Sequence, residues 1–291
     1  KCPTAFEARY PCEMFNPRPR MNEVKIAWWS AGVTSAVACK IALEQYDNVK
    51  LYYIETGAAH SDNQRFLKEC QDWYDHEIIT AQNRKGYMSP LDVALKERYI
   101  NGPEGAKCTQ VLKKDVRYDI EKLHEVNLFN SVRLTNQIFG YEWNKKEVNR
   151  AIRFLQQYPD ANGLFPLIER RITKPNCASI LLTNGIDLPA LYKLGYNNNN
   201  CIGCFKGGKG YWNKIRIDFP YYFWEVARAE RVIGRSCING VFLDELDPEE
   251  GLKVKPIVPD CGVFCNVEIA DIPAKKLNLV LNGEISIYEA A

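Results

Sequence analysis

Two short stretches of this 291-residue chain carry residue types at spacings that can do chemistry. The first is Ser30-Ala31-Gly32-Val33-Thr34-Ser35, which follows an apolar run over residues 24–29 and leads into Ala36-Val37 with helical spacing. A strand that ends in small and hydroxyl-bearing residues and passes directly into a helix leaves backbone N–H groups unpaired at the helix N-terminus. There they and the helix dipole favour an anion. A tight turn at Gly32 is expected, with Ser30, Thr34 and Ser35 adding hydroxyl donors. Neither the Lys-containing phosphate loop nor the three-glycine dinucleotide fingerprint is present, and a plain strand–helix turn with an N-cap hydroxyl accounts for the stretch about as well. The second is Cys201-Ile202-Gly203-Cys204, two thiols whose spacing on a compact turn brings both sulfurs to one side. Such a pair suits a metal, with a redox couple or chance packing as the plainer alternatives.

The elements that position these residues alternate. After the first strand and helix comes a β-branched and aromatic run from Val49 to Ile54, ended by Glu55-Thr56-Gly57. A helix follows over residues 62–73, with Phe66, Leu67, Cys70 and Trp73 on one face, and then a strand over residues 77–80. Further helices are predicted over residues 90–99, 108–123 and 145–157, a strand over 132–139, a last helix over 225–233, and short strand-like pieces in the tail. Alternation of this kind implies right-handed βαβ units, an α/β fold with a three-layer parallel sheet and helices on both faces. Ligands of such sheets sit at the carboxyl ends of the strands, where Ser30–Ser35 and Glu55–Gly57 both fall.

A formal net charge of +2 gives no basic footprint for nucleic acid, although Arg84-Lys85 and Lys113-Lys114 form local patches. Lys206, Lys209, Lys214 and Arg216, interleaved with Tyr211 and Trp212, could form a cationic and aromatic platform for a strand or a nucleotide, or simply pack beside the Cys turn. No apolar run approaches the roughly 18 residues a membrane span needs, and no leader pattern opens the chain. A cytoplasmic location without membrane contact is expected. In a reducing compartment the eleven cysteines are core residues, metal ligands or redox groups. Cys39 and Cys70 fall on apolar helix faces, and Cys237 carries no signal.

Four blocks, taken in order, resemble the phosphoadenosine phosphosulfate (PAPS) reductase family, within the wider group of adenine-nucleotide enzymes with a pyrophosphatase-type loop (PP-loop). They are Ser30–Ala36, similar to the family's Ser-Gly-Gly-x-Asp-Ser loop; Glu55-Thr56-Gly57, similar to Asp-Thr-Gly; Lys107-Cys108 through Lys113-Lys114, similar to Cys-Cys-x-x-x-Lys; and Pro166-Leu167 with Gly185–Tyr196 and Ile202-Gly203-Cys204. Asn198-Asn199-Asn200-Cys201-Ile202-Gly203-Cys204 and Gly210-Tyr211-Trp212-Asn213-Lys214-Ile215-Arg216 also resemble a phage and bacterial subgroup. Departures accompany the matches. Ala31 and Thr34 stand where many relatives have Gly and Asp, and Glu142 lies near where an Arg would help hold sulfate.

The resemblance implies a Rossmann-like, adenine-nucleotide alpha hydrolase-type domain over residues 21–200, preceded by an extension (1–20) and followed by a Cys- and aromatic-rich elaboration (201–291). It implies binding of ATP or a PAPS-like nucleotide at Ser30, Ala31, Gly32, Val33, Thr34, Ser35, Glu55, Thr56 and Gly57. Its iron–sulfur members use a Cys pair and a C-x-x-C pair, which points to Cys108, Cys201 and Cys204. Cys177 is the expected fourth ligand of a 4Fe-4S cluster, with zinc as the alternative. Lys113 is the expected phosphate-side cation. Asp260-Cys261-Gly262-Val263-Phe264-Cys265 resembles the family's Glu-Cys-Gly-Leu-His, which makes Cys261 a candidate nucleophile or, with Cys265, a structural pair. The expected activity is reductive or sulfur-transfer chemistry, with a reductant or sulfur-donor protein as partner. ATP-driven activation for thiolation of a nucleic acid or small molecule is the alternative, and a non-catalytic nucleotide or nucleic-acid binding module is the third reading.

Overall fold

The computed structural model describes residues 24–102, 105–124, 136–253 and 271–291. The extension over residues 1–20 and the Cys261/Cys265 segment lie outside the described residues. Five parallel strands, β1 (Lys25–Trp28), β2 (Val49–Ile54), β3 (Ile78–Ala81), β4 (Asn136–Ile138) and β5 (Gly163–Leu164), form one sheet in the order β3-β2-β1-β4-β5. The chain builds outward from β1 to β3, then crosses back to lay β4 on the other side of β1. That reversal opens a crevice at the carboxyl ends of β1 and β4.

Helices α1 (Val33–Gln45), α2 (Asn63–Tyr74), α3 (Pro90–Glu97), α4 (Lys107–Thr109), α5 (Asp115–His124), α6 (Lys145–Gln157), α7 (Pro166–Glu169), α8 (Lys174–Thr183), α9 (Ala190–Lys193), α10 (Lys209–Asp218), α11 (Pro220–Ile233), α12 (Ala274–Asn282) and α13 (Ile287–Ala290) complete the described fold. Because strand side chains alternate, the sheet feeds two cores. Ala27, Leu51 and Tyr53 join α1, α2 and α8 on one face. Ile26, Trp28, Tyr52 and Ile54 join α5, α6, α12 and α13 on the other. A three-layer α/β, Rossmann-like architecture results, as the alternation predicted. A third core beyond the sheet unites α3, α9, α10, α11 and the Cys201–Cys204 turn.

The tail departs from expectation, since residues 271–291 form helices where strand-like pieces were read. Leu277 and Val280, three residues apart, bury one stripe of α12 on the second core, and a reciprocal Ser286–Glu289 capping box starts α13. The last helix of the preceding region also begins earlier than expected, because Pro220 at its first turn is preset for helical φ.

Candidate active site

The loop after β1 turns differently from the expected way. The left-handed residue is Ala31 (φ 58°), whereas Gly32 is extended (φ −99°) and caps α1. Ser35 is the node that holds this shape. Its Oγ accepts from the N–H of Ser30 at 3.0 Å and of Gly32 at 3.3 Å, and donates to the Gly32 carbonyl at 2.9 Å. Its hydroxyl is therefore used inside the loop. Gly140, just after β4, packs so close that a Cβ there would lie 2.6 Å from the backbone N and Cα of Ser35.

These elements border a cavity of about 530 Å³ at the carboxyl edge of the sheet. Ser30, Gly32, Thr34, Ser35 and Thr56 of the predicted residues line it, as does Lys113. Ala31 and Val33 are buried beneath. Glu55 and Gly57 build the neighbouring turn: Glu55 accepts from Gly57 N at 2.8 Å and from the Tyr53 hydroxyl at 3.0 Å. Gly57 has φ 75°, and any Cβ would collide with the Met88 carbonyl. Lys113 rides on a π-helical turn, Gln110–Lys114, between α4 and α5, a distortion that recurs at functional sites.

Several lining residues were not foreseen. Trp28, Trp29, Tyr52, Tyr53, Phe139 and Tyr141 give the cavity an aromatic wall. Lys146, Arg150 and Lys174 join Lys113, so four cations face two carboxylates, Glu142 and Glu147. An excess of positive charge beside the N-terminus of α1 suits a phosphate chain. Asn199 donates to the Ala31 carbonyl and to Asn63 Oδ1, both at 2.7 Å. Asn199 Oδ1 and Asn200 Nδ2 are buried at this wall without a hydrogen-bond partner among the described residues.

Glu142 occupies the position where sulfate-binding charge was sought, and its carboxylate accepts the backbone N–H of Lys174 at 2.7 Å. That N–H belongs to the first turn of α8, so a carboxylate already satisfies an anion-favouring helix end. Lys174 Nζ in turn donates to the Asn197 carbonyl and, at 2.7 Å, to Asn198 Oδ1.

The cysteines divide. Cys108, Cys201 and Cys204 line one small cavity of about 20 Å³ together with Thr56, Lys113 and Lys206. Cys201 also lines the large cavity, and its sulfur lies 3.0 Å from the Thr56 hydroxyl. The turn carrying Cys201 and Cys204 is pinned by Tyr211, whose hydroxyl accepts from Cys204 N at 3.0 Å and donates to the Cys201 carbonyl at 3.2 Å. Cys177 is not brought to this place. It is fully buried on α8 in the first core, where burial, then the nearby Glu142, push its thiol up to about 12. Cys39 and Cys70 are core residues, as expected.

Three thiols around one cavity make a donor set for a thiophilic metal. The space is about that of one water-sized species, so either a single ion or a four-iron cluster requires the thiols and walls to move. Among the described residues, no three His, Cys, Asp or Glu side chains are yet gathered closely enough to hold an ion.

The cationic platform on α10 is not a surface. Tyr211 and Trp212 are buried, Lys209 pairs with Glu250, Lys214 with Asp218, and Arg216 donates to the carbonyls of Leu243 and Leu246. No helix among the described residues is long and apolar enough to cross a membrane.

Compared with known proteins, the chain matches the family model described as the phosphoadenosine phosphosulfate reductase domain over residues 25–207. That span contains the whole sheet, the Ser30–Ser35 loop and the Cys201–Cys204 turn. A search of curated proteins finds no match. With well over half of the chain matched and the crevice in place, the protein belongs to the PAPS reductase family, whose members bind adenine nucleotides.

Proposed function

We propose that the chain binds an adenine nucleotide with its phosphates on the loop from Ser30 to Ser35 and carries out reductive or sulfur-transfer chemistry, with a thiolate-held metal beside the pocket. The observation that carries this reading is Cys201, which among the described cysteines lines both the nucleotide-sized cavity and the thiol cavity. In this reading Lys113, Lys146 and Arg150 neutralise phosphate charge, and the aromatic wall receives the base. Thr56 orients the Cys201 sulfur. A metal held by Cys108, Cys201 and Cys204 would supply electron transfer or sulfur mobilisation if it is an iron–sulfur cluster, and thiolate activation or rigidity if it is zinc.

Glu142 favours a second reading. A carboxylate repels a sulfate group, so the preferred nucleotide would be ATP. Attack of a substrate oxygen on the α-phosphate would then form an O–P bond and expel pyrophosphate, activating that oxygen for replacement by sulfur. The two are separated by supplying PAPS with a dithiol reductant, or ATP with candidate acceptors. Adenosine bisphosphate and sulfite, formed as the dithiol is oxidised, support the reductive route; pyrophosphate supports activation; tight binding of either nucleotide without turnover supports the non-catalytic module. Glu142→Gln, which keeps an acceptor for Lys174 N but removes the charge, should improve PAPS binding severalfold if Glu142 is the discriminating group.

A further inference from the structure

We propose that Cys237 is the fourth thiolate of a metal centre formed with Cys108, Cys201 and Cys204. This rests on the reading above that a thiophilic metal stands beside the nucleotide pocket. Cys237 shares one buried apolar cluster with Cys108 and Cys204, at the junction of α3, α10 and α11. It is close enough that both of those thiols, after burial and the adjacent Glu230, contribute to raising its own pKa. Cys177 has its place in a different core, against α1.

Three separately anchored segments converge here. Cys108 sits on α4, at the entry to the π-helical turn. The Cys201–Cys204 turn is clamped by the Tyr211 hydroxyl. Cys237 follows α11 just past its left-handed Gly234 cap, and its backbone N–H donates to the fully buried Glu230 carboxylate at 2.5 Å. The other Glu230 oxygen accepts from Leu243 N at 2.6 Å. A buried acid held by two backbone donors fixes where this segment lies, and with it where the Cys237 sulfur can reach. The other three thiols line the cavity, Cys237 lies in the apolar cluster against which Cys108 and Cys204 pack, and metal binding would draw the four sulfurs about one centre.

Charge agrees with the assignment. Four thiolates around a divalent ion leave two net negative charges, and Lys113 and Lys206 both line the cavity to offset them. Four sulfur ligands without imidazole select zinc or an iron–sulfur centre over harder ions. The shared chemistry is tetrathiolate ligation, and elemental analysis distinguishes the two.

The test uses the full chain purified without oxygen as wild type, Cys237→Ser, Cys201→Ser and Cys177→Ser. Iron, sulfide and zinc per chain are measured after a chelator challenge, with circular dichroism as a check of folding. Expected are one centre in the wild type and in Cys177→Ser, and at least tenfold lower occupancy in Cys237→Ser and Cys201→Ser. Where a serine variant fails to fold, alkylation mapping of the wild-type chain decides. Cys237 should be protected along with Cys108, Cys201 and Cys204 when metal is bound, and all four should become modified once it is stripped in mild urea. Full metal retention by Cys237→Ser, or alkylation of Cys237 in the loaded protein, overturns the assignment while leaving a metal in place. A wild type that takes up neither iron nor zinc overturns the metal reading beneath it.

Discussion

Replacing Gly140 by Ala tests whether the phosphate loop is braced by β4. The added methyl would stand 2.6 Å from Ser35 N and Cα and 2.9 Å from the Thr34 carbonyl carbon. Comfortable carbon contacts lie near 3.5–4.0 Å, so backbone must part by about 1 Å. Those atoms belong to the first turn of α1, not to a flexible side-chain end, so the strain cannot be relieved by a rotamer change. Overpacking of this kind costs about 1–3 kcal/mol. If the strain stays in the folded state, the melting temperature falls by roughly 2–4 °C per kcal/mol for a chain of this size class. If the loop yields instead, nucleotide affinity drops by roughly 5- to 150-fold over the same range, at about 1.4 kcal/mol per tenfold. Thermal melts with and without ATP, together with tryptophan fluorescence titration exploiting Trp28 and Trp29 in the cavity wall, separate the two. A Gly140→Ala protein that melts and binds like the wild type would refute the bracing argument.

Three further outcomes are expected. Ala31→Gly should raise stability by up to about 1 kcal/mol, because an L-residue in the left-handed region costs roughly 1–2 kcal/mol and the larger unfolded-state entropy of Gly offsets only part of that gain; an unchanged or lower melting temperature contradicts it. Asp62 has its carboxyl held below the usual range by the Arg65 fork and by the N–H of Ala190. Its contribution is therefore present above the unfolded-state value of about 3.9 and lost progressively as pH falls from there through the lowered folded-state value, so Asp62→Asn should narrow the gap between melts at pH 6 and pH 3. In metal-stripped protein, Cys70 and Cys177, both pushed up to about 12 mainly by burial, should stay unmodified by iodoacetamide at pH 8 while Cys201 reacts, read by peptide mass mapping; equal labelling would place Cys177 in a different environment.

What was legible in the sequence was what depends on near neighbours. The apolar run into Ser30–Ser35, the β-branched run into Thr56 and the helical spacing around Phe66 and Cys70 each declare an element and its end, and chain order then fixes the sheet edge at which they meet. The residues that escaped attention act across distance. Asn199 looked like part of a polar loop, because its value lies in reaching Ala31 and Asn63, more than a hundred residues away. Lys146, Arg150 and Lys174 resembled ordinary helix lysines and arginines until α6 and α8 were seen to open on the cavity. Cys237 has no second cysteine near it in sequence and shares a cluster with Cys108 and Cys204 only through the packing of α11 on α3. In the tail, the alternating Leu277-Asn278-Leu279-Val280-Leu281 reads locally as strand, and only the presence of a second core to cover makes the helical stripe the better burial.

The amide of Asn199 has one more implication. It is bolted to the carbonyl of Ala31, while Ile202 N is bolted to the Ala58 carbonyl. Only Asn200 and Cys201 lie between these fixings, and the three residue steps from Asn199 to Ile202 reach at most about 11 Å. The sulfur thus stands at a set distance from the phosphate loop, like the jaw of a caliper. Such a site gauges length. If a nucleotide binds there as proposed, one whose reactive atom falls short of that jaw, or overshoots it, should bind without turnover.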